Sequence, residues 1–299
     1  MRIAVTGTRG QVARALAERG AARGHEIVLV GRPALDLAGS AEAIAEALEA
    51  VRPDAIVSAA AYTAVDKAES EPEAAATING EGGGAVAQAA ARLGVPLCHL
   101  STDYVFDGAA HRPYRENDPT GPVGVYGRTK LDGEAHVLAS GARAAILRTA
   151  WVYSPFGANF VKTMLRLAAD RDEVSVVADQ TGCPTSALDI ADGVLDVVAN
   201  LTRSDDPALT GVFHMCGTGT ATWADFADAI FTVSYRQGGP VASVRRITTA
   251  EFPTPARRPA NSRLDCARLE QVHAVRLPDW QTSLETVVTR LVHELQETA

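Results

Sequence analysis

Short apolar, β-branched segments alternate with alanine-rich amphipathic segments through the first half of the chain. The runs RIAVTG, EIVLVG, DAIVSAA, VPLCHLS and AAILRTAWVY have the length and composition of buried strands. Between them lie QVARALAERGAARG, AEAIAEALEAV, EAAATINGEGGGAVAQAAARLG and VYGRTKLDGEAHVLA, whose apolar residues recur at helical spacing. This alternation predicts a Rossmann-type, doubly wound α/β fold, in which helices cover both faces of a parallel sheet.

The pattern is less regular after Tyr153. An extended loop is predicted for EFPTPARRPANSR, which is rich in proline and arginine. The other predicted elements are helices at 159–170, 186–199, 222–233 and 282–296, and strands near Val174–Val177 and Val212–Met215. We therefore predict a nucleotide-binding domain in residues 1–153, with later segments returning to it, and a mainly substrate-binding lobe in residues 154–299.

Composition narrows the class of protein. The chain of 299 residues is 46% apolar and carries a net charge of −8, which argues against a nucleic-acid partner. Its first residues do not resemble a signal peptide, and its apolar stretches are too short to span a membrane. The four cysteines are far apart and lack metal-ligand or redox spacing. We therefore expect a cytoplasmic protein; its oligomeric state stays open, with a homodimer as the candidate assembly.

Glycines follow the first predicted strand directly. Gly7, Gly10 and Ala13 form the pattern G-x-x-G-x-x-A where that strand turns into the first helix. Glycine permits the tight turn and a close approach of a diphosphate to the backbone, and the small third residue permits close packing of helix and strand. The pattern in this context predicts a dinucleotide site, while purely structural glycines remain the alternative.

The residues after the second predicted strand concern the choice of cofactor. Gly31 and Arg32 stand where an acidic residue would bind the ribose hydroxyls of NAD. A guanidinium there favours the additional phosphate of NADPH, although NADH is retained as an alternative cofactor and Arg32 as a plain surface residue. Asp36 and Leu37, a little further on, are candidates for contact with the adenine.

Polar and small residues follow the third and fourth predicted strands, in SAAAYTAVDKAESEP and LSTDYVFDG. Ligands of open parallel sheets bind beyond the carboxyl ends of the strands, where both segments must lie. The hydroxyl of Thr102 could donate to a substrate carbonyl, although capping of a turn is the common use of such residues.

Tyr126 and Lys130 are one helical turn apart in VYGRTK. A free phenol has a pKa of about 10 and is a poor acid at neutral pH. A neighbouring ammonium and a nicotinamide cation would lower the pKa of Tyr126, which could then protonate a substrate oxygen as hydride reaches its carbon.

These motifs together resemble the extended short-chain dehydrogenase/reductase family. The resemblance also rests on RTAWVY, NFVKTMLRLA, DQTGCPT and RPANSRLD, and it runs from residue 6 to about residue 265. It implies that the cofactor diphosphate contacts Gly10, Gln11 and Val12. It also implies that the nicotinamide half contacts Ala61, Tyr62, Thr63, Tyr126 and Lys130. It implies contacts with the sugar by Thr102, Asp103 and Trp151.

Basic and amide side chains of the C-terminal half are further candidates for binding an anionic nucleotide sugar. Arg258 and Asn261 lie in the loop that the family uses near its substrate, and Asn159 precedes the helix NFVKTMLRLA. Arg257, Arg263, Lys162 and Arg166 are weaker candidates, for which solvated surface charge is the alternative.

The resemblance implies NADPH-dependent reduction of the C4 keto group of dTDP-4-dehydro-L-rhamnose, with Tyr126 as proton donor and Thr102 and Lys130 beside it. The alternatives are an epimerase, a reductase of another nucleotide sugar, and a non-catalytic regulatory subunit on the same fold. A dehydratase is disfavoured because Tyr104, rather than a second acid, follows Asp103. No metal site is predicted, since the first helix has no acid before Glu18.

Overall fold

The computed structural model describes residues 1–298, and its strands follow the predicted alternation. The strands are β1 (Arg2–Thr6), β2 (Glu26–Val30), β3 (Ala55–Ser58), β4 (Leu97–Thr102), β5 (Ala144–Thr149), β6 (Val152–Tyr153), β7 (Glu173–Val177), β8 (Thr181–Gly182), β9 (Thr185–Ser186), β10 (Gly211–His214), β11 (Ala221–Thr222) and β12 (Ser243–Ile247).

The helices lie between these strands and after them. They are α1 (Gln11–Ala22), α2 (Ala41–Val51), α3 (Val65–Ala68), α4 (Pro72–Ala76), α5 (Gly82–Leu93), α6 (Val125–Ala139), α7 (Phe160–Ala168), α8 (Ala187–Arg203), α9 (Trp223–Arg236), α10 (Ala267–His273) and α11 (Trp280–Thr298). A π-helical turn, Thr77–Glu81, joins α4 to α5.

Six strands form a parallel sheet in the order β10, β5, β4, β3, β1, β2. Successive strands are added on opposite sides of β1, with β2 on one side and β3, β4, β5 and β10 on the other. Ligands of such folds bind beyond the carboxyl ends of the strands at this switch point. The predicted doubly wound α/β fold is therefore confirmed, and the loops after β1, β3 and β4 meet at one edge of the sheet.

Alternate side chains of the strands pack on opposite faces of this sheet. Ile3 and Val5 belong to one apolar cluster, which α1 and α8 cover, whereas Ala4 belongs to a second cluster under α2 and α5. A strand with both faces buried needs apolar residues at successive positions, and this explains the continuous apolar run of β1.

The C-terminal half contributes to both parts of the molecule. β10 is an edge strand of the large sheet and α8 packs on α1, while β7 and β12 form a separate parallel pair near α7 and α9. Phe226 of α9 and Val292 of α11 belong to the same apolar cluster as Val5. The division at residue 153 remains a prediction. Among residues 1–298, no helix combines the length and apolar character needed to cross a bilayer.

Candidate active site

The turn between β1 and α1 has the geometry of an anion-binding site. Gly7 has a φ of +93°, and a Cβ placed there would lie 3.3 Å from the Cβ of Ala60, so a small residue is required. Gly10 is the N-cap of α1 and offers no side-chain cap, and the first turn contains no acidic residue. The first N–H groups of α1 are therefore available to an anion such as a cofactor diphosphate, without a competing carboxylate.

Gln11, the first residue of α1, connects this turn to the second half of the chain. Its Oε1 accepts a hydrogen bond from the hydroxyl of Ser154 at 2.8 Å, and its Nε2 contacts the carbonyl oxygen of Val152 at 3.4 Å. The next residue, Val12, is half-buried. Both residues belong to the first turn of α1, with Gln11 held in place by the segment after β5, and their contact with a diphosphate stays a prediction.

The loop after β2 is the candidate adenosine end of the site. The side chain of Arg32 is exposed, and a Cβ at Gly31 would lie 3.1 Å from Thr8, so this loop packs closely on the glycine-rich turn. Asp36 accepts a hydrogen bond from the N–H of Ala38. Leu37 is buried, and its side chain packs in the core. Its backbone oxygen would lie 2.4 Å from a Cβ at position 82, so only glycine fits at that position of α5.

A buried asparagine organises the loop after β3, which holds Ala61, Tyr62 and Thr63. The Oδ1 of Asn79 accepts from the N–H of Tyr62 at 2.8 Å, and its Nδ2 donates to the carbonyl oxygen of Tyr62 and to the hydroxyl of Thr129 in α6. Asn79 lies in the π-helical turn, a local distortion often found at functional sites. No sequence motif marks Asn79, whose only signal is an amide within an alanine-rich helical segment.

Thr102, the last residue of β4, stands beside the first turn of α6. Its hydroxyl donates to Asp103 at 3.0 Å and also accepts from the N–H of Tyr104, so Thr102 caps the turn that follows the strand. Thr102 also forms a hydrogen bond with the phenolic oxygen of Tyr126. The ring of Tyr104 packs edge-on against that of Tyr126, with 5.6 Å between centroids. The capping role and the contact with Tyr126 therefore coexist in one side chain.

Burial controls the protonation of this group of residues. It raises the pKa of Tyr126, an effect that the hydrogen bond with Thr102 opposes and the nearby Asp103 reinforces. It also raises the pKa of Asp103 to about 6, against hydrogen bonds from Ser262 and Thr102. Burial dominates for Tyr126 because removing the phenolate from water outweighs the favourable contact with Thr102. Lowering of this pKa by Lys130 together with a nicotinamide cation stays a prediction.

Lys130 lies in the interior, one turn after Tyr126. Its Nζ donates to the carbonyl oxygen of Leu100 in β4 at 2.7 Å, and burial lowers its pKa to about 8, although Glu134 opposes this shift. Glu134 in turn accepts two hydrogen bonds from Arg148 of β5 and one from Ser101. A buried ion pair between Glu134 and Arg148 therefore holds α6 on the sheet, and no sequence motif marks either of its members.

Trp151 follows β5 in a left-handed conformation, with a φ of +48°. Its ring stacks on that of Trp223, with 3.6 Å between centroids and 7° between planes. A Cβ at Gly182 would collide with the Trp151 ring, at 2.3 Å, so a glycine is needed under it. This stack fixes the side chain that the resemblance assigns to the sugar, and it explains Trp223 as a packing residue.

The two candidate asparagines use their amides for contacts within the protein. Asn159 is the N-cap of α7, and its Nδ2 donates to the backbone oxygens of Ser154 and Phe156. Asn261 donates to the backbone oxygens of Ala110 and Arg112. Both amides therefore support the loops around the site in this structure, and their roles in substrate binding stay predictions.

Arg258 reaches the cleft from the proline-rich loop. Its Nη2 pairs with the carboxylate of Asp66 at 2.6 Å, and its Nη1 donates to the hydroxyl of Tyr104 at 3.3 Å. The remaining basic candidates lie further out: Arg257 and Arg166 are exposed, Arg263 donates to Asn261 and to the backbone of His111, and Lys162 donates to the backbone of Pro155.

Three cysteines that are distant in sequence meet in the structure. The thiol of Cys216 is in hydrogen-bonding contact with those of Cys183 and Cys266, and all three belong to or border one apolar cluster. Loops from different parts of the chain bring these three cysteines together, which their spacing in the sequence does not reveal. Within residues 1–298, no group of three or more histidine, cysteine, aspartate or glutamate side chains is placed to hold a metal ion.

Comparison with known proteins identifies the family. A family model described as the RmlD substrate binding domain matches residues 1–293. A dTDP-4-dehydrorhamnose reductase of Sinorhizobium fredii is 52% identical over 294 residues, covering 98% of this chain and 99% of the relative. The reductase of Escherichia coli K12 is 44% identical over 252 residues, which are 84% of each chain.

Solved structures agree with these sequence relatives. A dTDP-4-dehydrorhamnose reductase from Clostridium acetobutylicum superposes with a TM-score of 0.89 at 37% identity, covering 97% of this chain and 99% of the other. The enzyme of that name from Bacillus anthracis, solved in complex with NADP, gives the same TM-score and coverages at 34% identity. The chain therefore belongs to the dTDP-4-dehydrorhamnose reductase family.

Proposed function

We propose that this protein reduces the C4 keto group of dTDP-4-dehydro-L-rhamnose to give dTDP-L-rhamnose, with NADPH as the reductant. The observation that carries the proposal is the contact of Thr102 with Tyr126 beside the buried Lys130, at the sheet edge that also holds the uncapped start of α1. The names of the relatives support the substrate, and the NADP bound to the Bacillus anthracis relative supports the cofactor.

The chemistry divides between the cofactor and the protein. The reduced nicotinamide supplies a hydride to C4, and Tyr126 delivers a proton to the oxygen on that carbon. Because burial raises the pKa of Tyr126, the phenol is protonated at neutral pH, which is the form that a proton donor requires. Thr102 hydrogen-bonds the same oxygen, while Lys130, with a pKa of about 8, is largely charged and binds the nicotinamide ribose.

The cofactor would lie across the loops at the sheet edge. The start of α1 would bind the diphosphate, the exposed Arg32 the additional phosphate of NADPH, and the loop after β3 the nicotinamide half. The residues in these roles are Gly7, Gly10, Gln11, Val12, Arg32, Ala61, Tyr62 and Thr63, while Asp36 is the candidate for contact with the adenine because Leu37 packs its side chain in the core. Asp103, Trp151 and Arg258 would face the nucleotide sugar.

A specific contact favours reduction over dehydration. Tyr104 occupies the position after Asp103, and its hydroxyl accepts a hydrogen bond from Arg258, so no second carboxylate stands there for water elimination. Epimerases and reductases of other 4-keto sugars would use the same tyrosine and lysine. A non-catalytic subunit has no need of the Thr102–Tyr126–Lys130 set, whose presence therefore favours an enzyme.

Loss of nicotinamide absorbance tests the proposal directly. Purified protein is mixed with NADPH or NADH and enzymatically generated dTDP-4-dehydro-L-rhamnose, and the sugar product is identified by NMR. Faster consumption of NADPH, with dTDP-L-rhamnose as product, is the expected result. If folded protein binds NADPH but consumes neither cofactor, the rhamnose assignment fails, and a different 4-keto sugar or a binding subunit takes its place.

A further inference from the structure

A loop from the C-terminal half crosses onto the nucleotide-binding part beside the candidate site. We call residues 248–260, between β12 and Asn261, the strap. Together with Asp179 and with Asp107, Gly108 and Ala109, which follow β4, the strap lines an open cavity of about 620 Å³. The strap also reaches the candidate site, because its Arg258 donates a hydrogen bond to the hydroxyl of Tyr104.

Side chains outside the strap hold it down, and at its start the carboxylate of Asp179 accepts hydrogen bonds from the N–H and the hydroxyl of Thr249 at 2.9 and 2.6 Å. The strap contains prolines at positions 253, 255 and 259, which have no N–H to donate. Pro259 packs against Gly108, where a Cβ would approach the proline ring to 2.4 Å. Side-chain contacts from outside the strap therefore carry much of its anchoring.

Asp66 makes two such contacts. One carboxylate oxygen accepts from the N–H of Ala256 at 3.2 Å, and the other pairs with the guanidinium of Arg258 at 2.6 Å. The side chain of Arg258 is 22% exposed and that of Asp66 is 41% exposed, so the pair lies at the edge of the cleft. One carboxylate thus fixes both the backbone of the strap and its inward-facing cation.

The same segment also holds the catalytic helix. Glu69, three residues after Asp66, accepts from the N–H of Val125 at 2.8 Å and caps α6, whose own N-cap Gly124 has no side chain. A carboxylate at a helix N-terminus is favourable because it faces the positive end of the helix dipole. Asp66 and Glu69 therefore set the spacing between the strap and Tyr126.

We propose that Asp66 is a positioning residue, which anchors the strap and holds the guanidinium of Arg258 in the cleft to receive the anionic nucleotide sugar. This rests on the proposed function, since it takes a nucleotide diphosphate as the partner of Arg258. A forked cation held in advance binds such an anion with a smaller loss of conformational freedom. Asp66 touches neither substrate nor cofactor in this role.

Kinetics of Asp66→Asn separate positioning from general damage. The amide can still accept from Ala256 but carries no charge for Arg258, so the KM for the nucleotide sugar should rise about tenfold, a loss of about 1.4 kcal/mol. The KM for NADPH should stay within about twofold of the wild-type value. Adding Asp66→Asn to Arg258→Met should change the KM for the sugar no further, because the partner is already gone.

Limited proteolysis provides a readout that needs no substrate. Trypsin can cut after the exposed Arg257 but not after Arg258, which precedes proline. Asp66→Asn should speed the cut after Arg257 several-fold, at an unchanged thermal unfolding midpoint. The control is Asp228→Asn, which breaks the ion pair between Asp228 of α9 and Arg246 of β12, 2.7 Å apart. This variant should match the wild type in the cleavage rate and in the KM for the sugar.

Failure of the proposed function and failure of the positioning role of Asp66 give different results. If wild-type protein does not turn over the rhamnose precursor, the proposed function fails, while faster cleavage of Asp66→Asn still supports the anchoring of the strap. If Asp66→Asn matches wild type in cleavage rate and in KM, or if its effect adds fully to that of Arg258→Met, the positioning role is overturned.

Discussion

Glu134 of α6 and Arg148 of β5 form a bidentate ion pair in the interior, with N–O distances of 2.8 and 2.6 Å. Both side chains are at most 5% exposed. Glu134 lies one turn after Lys130 on the helix that carries Tyr126, and Arg148 lies on the sheet. The ion pair therefore fixes the candidate proton donor relative to the sheet. The ion pair both positions α6 and contributes to the stability of the fold, and its effect on the free energy of unfolding can be measured.

Breaking this pair should be costly. Glu134→Gln leaves the Arg148 guanidinium buried and uncompensated, so the free energy of unfolding should fall by about 3 kcal/mol in urea titrations. The double variant Glu134→Leu with Arg148→Met should lose less, because it removes both charges. As a control, Glu26→Gln in the exposed pair with Arg2 should change stability by less than about 1 kcal/mol. Equal effects of Glu134→Gln and Glu26→Gln would contradict the buried pair's importance.

Removing one hydroxyl should separate chemistry from binding. Tyr126→Phe keeps the ring that packs against Tyr104 but has no proton to give, so kcat should fall by about 10²- to 10⁴-fold. Titration of NADPH by fluorescence should give a Kd near that of the wild type. Tyr235→Phe is the matched control, since that ring is 75% exposed, and it should retain full activity. A fully active Tyr126→Phe would refute the assignment of the proton donor.

Asp103 makes stability depend on pH. Its pKa is raised by burial from 3.8 to about 6, so the folded protein resists ionisation. The stabilising effect of the bound proton is complete below about pH 4 and is lost as the pH rises through about 6. Asp103→Asn should therefore be more stable than wild type above pH 6, by about 3 kcal/mol, with the difference vanishing near pH 4.

Denaturant titrations from pH 4 to pH 8 measure this difference. Asp118→Asn is an informative comparison of opposite sign, because the Arg112 guanidinium lowers the pKa of Asp118. That variant should lose stability at neutral pH and approach the wild type in acid. A pH-independent difference for Asp103→Asn would show that the carboxyl ionises equally in the folded and unfolded states.

Asn79 should matter for the cofactor as well as for the fold. Asn79→Ala leaves the backbone of Tyr62 without its partners, so the loop after β3 should loosen and the Kd for NADPH should rise about tenfold. Asn200→Ala is the control for stability alone, since its amide contacts His273 on the other side of the fold. Both variants should lower the midpoint of thermal unfolding, but only Asn79→Ala should weaken the binding of NADPH. Unchanged NADPH binding in Asn79→Ala would remove the loop from the cofactor site.

The local pattern of apolar and polar residues determined most of the helices and strands of the first half of the chain. The predicted helix VYGRTKLDGEAHVLA coincides with α6, and the first four predicted strands lie in the parallel sheet. The fifth, AAILRTAWVY, is divided: β5 lies in that sheet, and β6 pairs with β9. Helical and strand periodicities express which face of an element is buried, and glycines mark turns, so both can be read from neighbouring residues. The position of the glycine-rich turn, and the placement of Tyr126 and Lys130 one turn apart, follow from the same information.

The tertiary structure alone decided which distant residues meet. Asp66 and Arg258 are 192 positions apart, Asn79 and Thr129 are 50 apart, and no local pattern connects them. Burial is likewise a property of the assembled protein, and it raises the pKa of Tyr126, a shift that the residues next to it in the sequence do not reveal. The sequence therefore determined the elements and the edge of the sheet where chemistry takes place. Packing determined the electrostatics of that edge and the side chains that hold it together, because both depend on contacts between residues far apart in the chain.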